Sequence, residues 1–461
     1  MKRRGAAACA LLLCAAGLAS AAPNEAFDFG RFGAVSVYRP GAEPRDVVLF
    51  VSGDGGWNLG VVAMAERLAA QGAVVAGVDI RHYLAQLAKS TDKCVSPDVD
   101  FENLSHYLQS KLGLKHYLQP TLVGYSSGAA LVYATLAESP DGLFKGALSI
   151  GFCADLDLSK PLCGAAAIET PRLKSKGVPP GVRLLPAKKL PGKWIALQGE
   201  AEQACAAPAA QEFAAKLPGS EIVVLPKADH GEFDGAYQRI VSVPATAGAP
   251  VLPAPVADLP LIVVPAAARH DSPWFGIFLT GDGGWVGLDR GVAAALAQHG
   301  INMVGWDSLK YFWSPRTPQG AAQDLDRVLR HYAREWHKSH VLLVGYSQGA
   351  DTMPFMLNRL PAATKEMVGY TALLGLSDRA AFEFHVTNWL GNTSDDLPTA
   401  PEMKNWNGSP YLCLYGEEDR DADCERLTGK DGTVFKMPGG HHFGGSYQAM
   451  AAQIFDRLPK L

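Results

Sequence analysis

Two kinds of apolar pattern alternate along the chain. Short continuous runs such as HVLLVG (340–345) and YLCLYG (411–416) are separated by longer segments, such as DRGVAAALAQHG (289–300) and AAQDLDRVLRHYAREW (321–336), whose apolar residues recur every three or four positions. The first kind predicts strands buried on both faces, and the second predicts helices with one apolar stripe. Their alternation predicts an α/β fold in which a mostly parallel sheet is flanked by helices.

The pattern occurs twice. VVLFVSGDGGWNLG (47–60) matches FGIFLTGDGGWVGL (275–288), and four further pairs follow in the same order: AGVDIRHYL with VGWDSLKYF, TLVGYSSGAA with LLVGYSQGAD, ALQGEAEQAC with CLYGEEDRDADC, and GEFDGAYQ with HHFGGSYQ. Each copy spans about two hundred residues, the size of a domain rather than of a solenoid repeat. Between them, residues 243–265 carry six prolines, which forbid a continuous helix or central strand. The predicted organisation is an N-terminal domain over 23–242, a Pro-rich linker over 243–257 and a C-terminal domain over 258–461.

Residues 1–22 are set apart. Lys2, Arg3 and Arg4 precede an apolar run from Ala6 to Ala19 that ends in small residues, the pattern of a cleaved secretory signal with its cut near Ala21 or Ala22. Cys14 follows the bulky Leu13, a poor context for lipoprotein processing. Removal of this segment leaves six cysteines, an even number in an exported chain, and of these Cys413 and Cys424 are expected to pair. No CxxC spacing suggests a metal, and no nucleotide motif follows either glycine-rich loop, so neither metal nor cofactor is expected. A formal net charge of -4 provides no basic footprint for nucleic acid.

The chemistry is concentrated in the second copy. Gly345-Tyr346-Ser347-Gln348-Gly349 lies between a predicted strand and a predicted helix, the setting of a nucleophile elbow in which Ser347 projects above the sheet. A serine needs a base and an orienting acid, which this fold supplies in the order Ser, acid, His. Asp419 is the preferred acid, with Glu418, Asp421 and Asp378 as competitors. His442, immediately before Phe443, is the preferred base, and its neighbour His441 is the alternative. The oxyanion requires two N–H donors, expected from Gln348 and from the loop containing Gly281 and Asp282. In the first copy, Ser126 keeps the elbow, but Glu232 stands opposite His442, Glu202 opposite Asp419, and His230 is two residues out of register. That copy is expected to be catalytically degenerate and retained for packing or substrate presentation.

With GDGGW, DSLKYFWSPRTP, GYSQGAD and GGHHFGG in order, the second half resembles the VirJ domain, and the duplicated exported arrangement resembles the AcvB/VirJ family of bacterial virulence proteins. The resemblance implies a periplasmic hydrolase that removes lysine or alanine from aminoacyl-phosphatidylglycerol at the membrane surface, and for some members a link to proteins of type IV secretion. For an aminoacyl ester, Asp351, Asp307 and Asp282 are candidate partners of the ammonium, or alternatively plain capping and solvated carboxylates. Trp285, Trp306, Tyr311, Phe312 and Trp313 are candidates for an apolar slot or for core. A different carboxylesterase and a noncatalytic secretion adaptor are the competing classes. The first would keep the triad but not the aminoacyl preference; the second would tolerate loss of Ser347.

Overall fold

The computed structural model describes residues 25–90, 93–163, 168–171, 181–201, 205–226, 254–267, 272–384, 396–429 and 432–460. The expected signal segment, residues 243–253 of the linker, and Glu202, His230 and Glu232 lie outside these residues.

Two large sheets form. The first contains β1 (Glu25–Phe29), β2 (Gly33–Tyr38), β3 (Asp46–Val51), β4 (Ala73–Val78), β5 (Thr121–Tyr125), β6 (Gly146–Ile150), β7 (Lys193–Gly199) and β8 (Glu221–Leu225). Their spatial order is β1-β2-β4-β3-β5-β6-β7-β8. The second contains β9 (Leu261–Val264), β10 (Trp274–Leu279), β11 (Asn302–Trp306), β12 (His340–Tyr346), β13 (Val368–Leu374), β14 (Tyr411–Gly416) and β15 (Gly432–Met437), in the order β9-β11-β10-β12-β13-β14-β15. Removing β1 makes the two orders identical, so the sequence duplication is a duplication of topology. Among the described residues of these two sheets, only the strands at one edge run antiparallel: β1 with β2, β2 with β4, and β9 with β11. The proline-flanked β9 occupies such an edge, where a missing ladder donor is tolerated.

Central strands such as β3, β10 and β14 are buried at every position, because helices cover both faces. The helices that matter for the site are α1 (Pro97–Lys111) and α2 (Ser127–Glu138) in the first half, with α3 (Gly287–Gln298), α4 (Pro318–Glu335), α5 (Gln348–Asn358) and α6 (Tyr447–Phe455) in the second. In α4, Ala321, Ala322, Leu325, Val328, Leu329 and Tyr332 form the buried stripe, and Thr317 caps the start by accepting from the Gly320 amide. Pro354 lies inside α5 without ending it. No described helix is long and apolar enough to cross a membrane.

Disulfides join Cys413 to Cys424, as expected, and also Cys94 to Cys163 and Cys153 to Cys205. The two halves touch through α1 and the turn after α2. Trp313 donates its indole N–H to the Leu114 carbonyl at 2.7 Å, Arg290 donates to the Asp141 carbonyl at 3.1 Å, and the Trp313 ring lies against Tyr117 and Phe384. His106 packs edge-on against Phe384, and burial pushes its pKa down to about 3, so the contact is made by a neutral ring.

Candidate active site

The sheet reverses direction of growth around β10, which has β11 on one side and β12 on the other. Loops leaving the carboxyl ends of those strands therefore diverge and open a crevice. Ser347 stands there, between β12 and α5, with φ 51° and ψ -121°. A non-glycine residue at that conformation is strained, and two glycines make the turn sterically feasible. A Cβ on Gly345 would approach the Gly349 carbonyl to 2.5 Å, and one on Gly349 would approach the Leu279 carbonyl to 2.3 Å. The helix start is thus pressed against β10 and β12, leaving the serine at its N-terminus.

Asp419 leaves the end of β14 and accepts a hydrogen bond from a histidine, but that histidine is His441. The distance from His441 Nδ1 to Asp419 Oδ2 is 2.7 Å, and the Asp419 carboxylate is 3% exposed. Among the described residues, Glu418, Asp421 and Asp378 make no such contact with a histidine. The preference for His442 is corrected by the same geometry. Its Nδ1 lies 2.9 Å from the Tyr346 hydroxyl, which is also 3.3 Å from the His441 carbonyl. Tyr346 therefore clamps the histidine pair from within the elbow. Burial, followed by the proximity of His441, lowers the pKa of His442, and burial raises that of Tyr346, so both clamp members stay neutral.

The glycine-rich loop follows β10. The Gly281 amide, an expected oxyanion donor, instead donates to Asp289 Oδ1 at 3.3 Å. Asp289 was not apparent from the sequence, where it reads as an ordinary acid in the first turn of α3. It is 3% exposed and burial raises its pKa well above the usual carboxylate range. Gln348, another of the expected donors, is the first residue of α5, where the backbone amide has no intrahelical partner.

Ser347, Gln348, Asp282, Asp351, His441 and His442 all line one cleft of about 870 Å³. Asp351 is 8% exposed and accepts from the Ser377 amide at 2.7 Å, and burial raises its pKa well above the usual carboxylate range. Asp307 does not line the cleft. It caps the helix at 308–312 by accepting from the Lys310 amide and pairs with the Lys310 ammonium, which is the capping alternative. The expected apolar slot is also absent from this wall. Trp285, Trp306, Tyr311 and Phe312 are core residues, and Trp313 belongs to the contact between the halves.

Part of the wall comes from elsewhere in the chain: Asp98, Val99, Glu102 and Asn103 of α1, with Pro140, face the second-half loops. Spacing could not reveal this, because these residues belong to the other copy. In the first half itself, Ser126 keeps the elbow geometry, with φ 55° and ψ -120°.

The strand order, the strained serine and the Asp419–His441 pair define the serine-hydrolase class of the α/β-hydrolase fold. More particularly, the chain belongs to the VirJ family of bacterial virulence proteins, whose family model matches residues 45–148 and 274–460. The two matched segments fall one in each copy. No curated protein matches the chain. Among solved structures, it is similar to Est1E from Butyrivibrio proteoclasticus, at 12% identity and a TM-score of 0.33 over 42% of this chain and 91% of that one. Dienelactone hydrolase from Anabaena variabilis is 16% identical, with a TM-score of 0.31 over 47% of this chain and 94% of that one. An alpha-beta serine hydrolase homologue from Coxiella burnetii is 14% identical, with a TM-score of 0.29 over 43% and 91%.

Proposed function

We propose that the protein is a periplasmic serine esterase that cleaves the aminoacyl ester of aminoacyl-phosphatidylglycerol, lysyl or alanyl, releasing the amino acid and phosphatidylglycerol. The observation that carries the hydrolase reading is the 2.7 Å contact between His441 and Asp419 in the cleft that also holds Ser347. The substrate and compartment rest on the family resemblance, on the acidic cleft and on the signal-like N-terminus.

In the proposed cycle, Asp419 holds the proton on His441 Nδ1, leaving Nε2 to take the proton of Ser347. Ser347 Oγ bonds to the ester carbon, and the carbonyl electron pair moves to oxygen, where the Gln348 and Asp282 amides stabilise it. Collapse breaks the bond to the glycerol oxygen, which takes the proton from His441. Water then repeats the sequence on the acyl-serine and frees the amino acid. Purified protein incubated with vesicles containing lysyl- or alanyl-phosphatidylglycerol should release the amino acid, and Ser347→Ala should abolish release without unfolding. Undiminished release by Ser347→Ala would contradict the proposal.

A further inference from the structure

Seven acidic residues line the cleft, and the sole permanent cation in its described wall, Arg379, donates its guanidinium to the Asp396 carbonyl. One buried acceptor in this wall is unsatisfied. Gln348 is 7% exposed, its amide nitrogen donates to the Ala381 carbonyl, and its Oε1 has no hydrogen-bond partner. Glu102, carried by α1 of the first half, is half-buried beside the Tyr117 phenol and meets the like charges of Asp282 and Asp98. Its Oε1 lies 3.3 Å from the point a Cβ on Gly283 would occupy, directly against the oxyanion loop.

A buried acceptor without a donor is costly, and a wall of carboxyls around a reactive serine repels an anionic substrate. The group that satisfies both is a donor without acceptors, carrying positive charge, and an ammonium offers three N–H donors and no lone pair. We propose that Glu102 of the first half, together with Gln348 Oε1 of the second, forms the subsite for the ammonium of the acyl group, so that the degenerate copy supplies a specificity-determining residue to the working one. This inference rests on Ser347 being the esterase nucleophile. It gives the first half a task that needs neither a base nor a nucleophile of its own: α1 is held over the neighbouring site by the Trp313–Leu114 and Arg290–Asp141 contacts, and Glu102 is placed beside the loop that receives the oxyanion.

The full chain is assayed on the p-nitrophenyl ester of alanine and on p-nitrophenyl propionate, which share an acyl skeleton and differ in the ammonium. Wild type should prefer the aminoacyl ester by kcat/KM. In Glu102→Gln that preference should fall by about tenfold or more, the effect of losing one charge-assisted hydrogen bond, and Glu102→Asp should restore part of it. An unchanged preference, or an equal loss on both esters, overturns the subsite while leaving the hydrolase intact. Cleavage of neither ester by wild type overturns the hydrolase and the subsite together. Should Glu102→Gln fail to fold, competition in wild type decides: lysinamide should inhibit propionate-ester hydrolysis more strongly than hexanamide, and equal inhibition would overturn the proposal.

Discussion

His441 and His442 are adjacent in sequence and separated in role by what their Nδ1 atoms meet, a carboxylate in one case and a phenol in the other. His441→Ala should therefore lower kcat by about 10^4-fold, close to the loss in Ser347→Ala, and the double variant should add little because the triad acts as a unit. His442→Ala disturbs the clamp through Tyr346 rather than the proton path, and should cost less than about 100-fold. Steady-state kinetics on both variants, with circular dichroism to verify folding, check this; a dead His442→Ala beside an active His441→Ala would reverse the roles. The sequence made the pair visible but not its orientation, because the following turn bends at Phe443 with φ 52° and partners from β12 and β14 then decide which ring faces the acid. Asp289 and Asp307 were obscured for a related reason. A carboxylate near a helix start looks the same whether it caps the helix or reaches back to a loop amide.

At the scale of elements, strand–serine–helix was the most legible feature, since its requirements are local: an apolar run, small residues at two crossings, and a helix start. The same locality makes its strain testable. Ser347→Gly and Ser126→Gly both place glycine where φ is positive, and each should raise stability by about 1 kcal/mol, measured by urea denaturation, while only the first abolishes hydrolysis. Stability unchanged or lowered in both would show that neither elbow stores strain. The Cys413–Cys424 bridge closes a short loop that carries Asp419, with a sequence separation of 11. It was legible because the second half has only these two cysteines. The first-half pairs were not, since four cysteines allow three connectivities. Replacing both Cys413 and Cys424 by alanine should cost about 3 kcal/mol in the chain-entropy account and lower kcat through the Asp419 loop; full stability and activity in the double variant would remove the bridge from the account.

For the whole molecule, the internal repeat disclosed two domains of one fold, yet nothing in the repeat indicated that one copy would wall the cleft of the other. That contact depends on how the two bodies meet, which no spacing within either copy encodes, so nothing in the sequence singled out Glu102. It has a titration consequence. Glu102 faces Asp98 on its own helix, Asp282 from the second half and the Tyr117 phenol, and burial with the two carboxylates pushes it up to about 8 from the ordinary glutamate value near 4.5. The folded state thus holds this proton more tightly than the unfolded chain, so the stabilising contribution is complete below about 4.5 and is lost as pH rises through about 8. The Tm advantage of Glu102→Gln over wild type should grow between pH 5 and pH 9, and a constant difference would contradict the placement of this carboxyl. The central claim is that a single activated serine, in the second copy, does the chemistry. Labelling the full chain with a fluorophosphonate and mapping the adduct by peptide mass spectrometry tests it most directly. The account predicts one adduct per chain, on Ser347, lost in His441→Ala; an adduct on Ser126, or none on Ser347 in wild type, would contradict it.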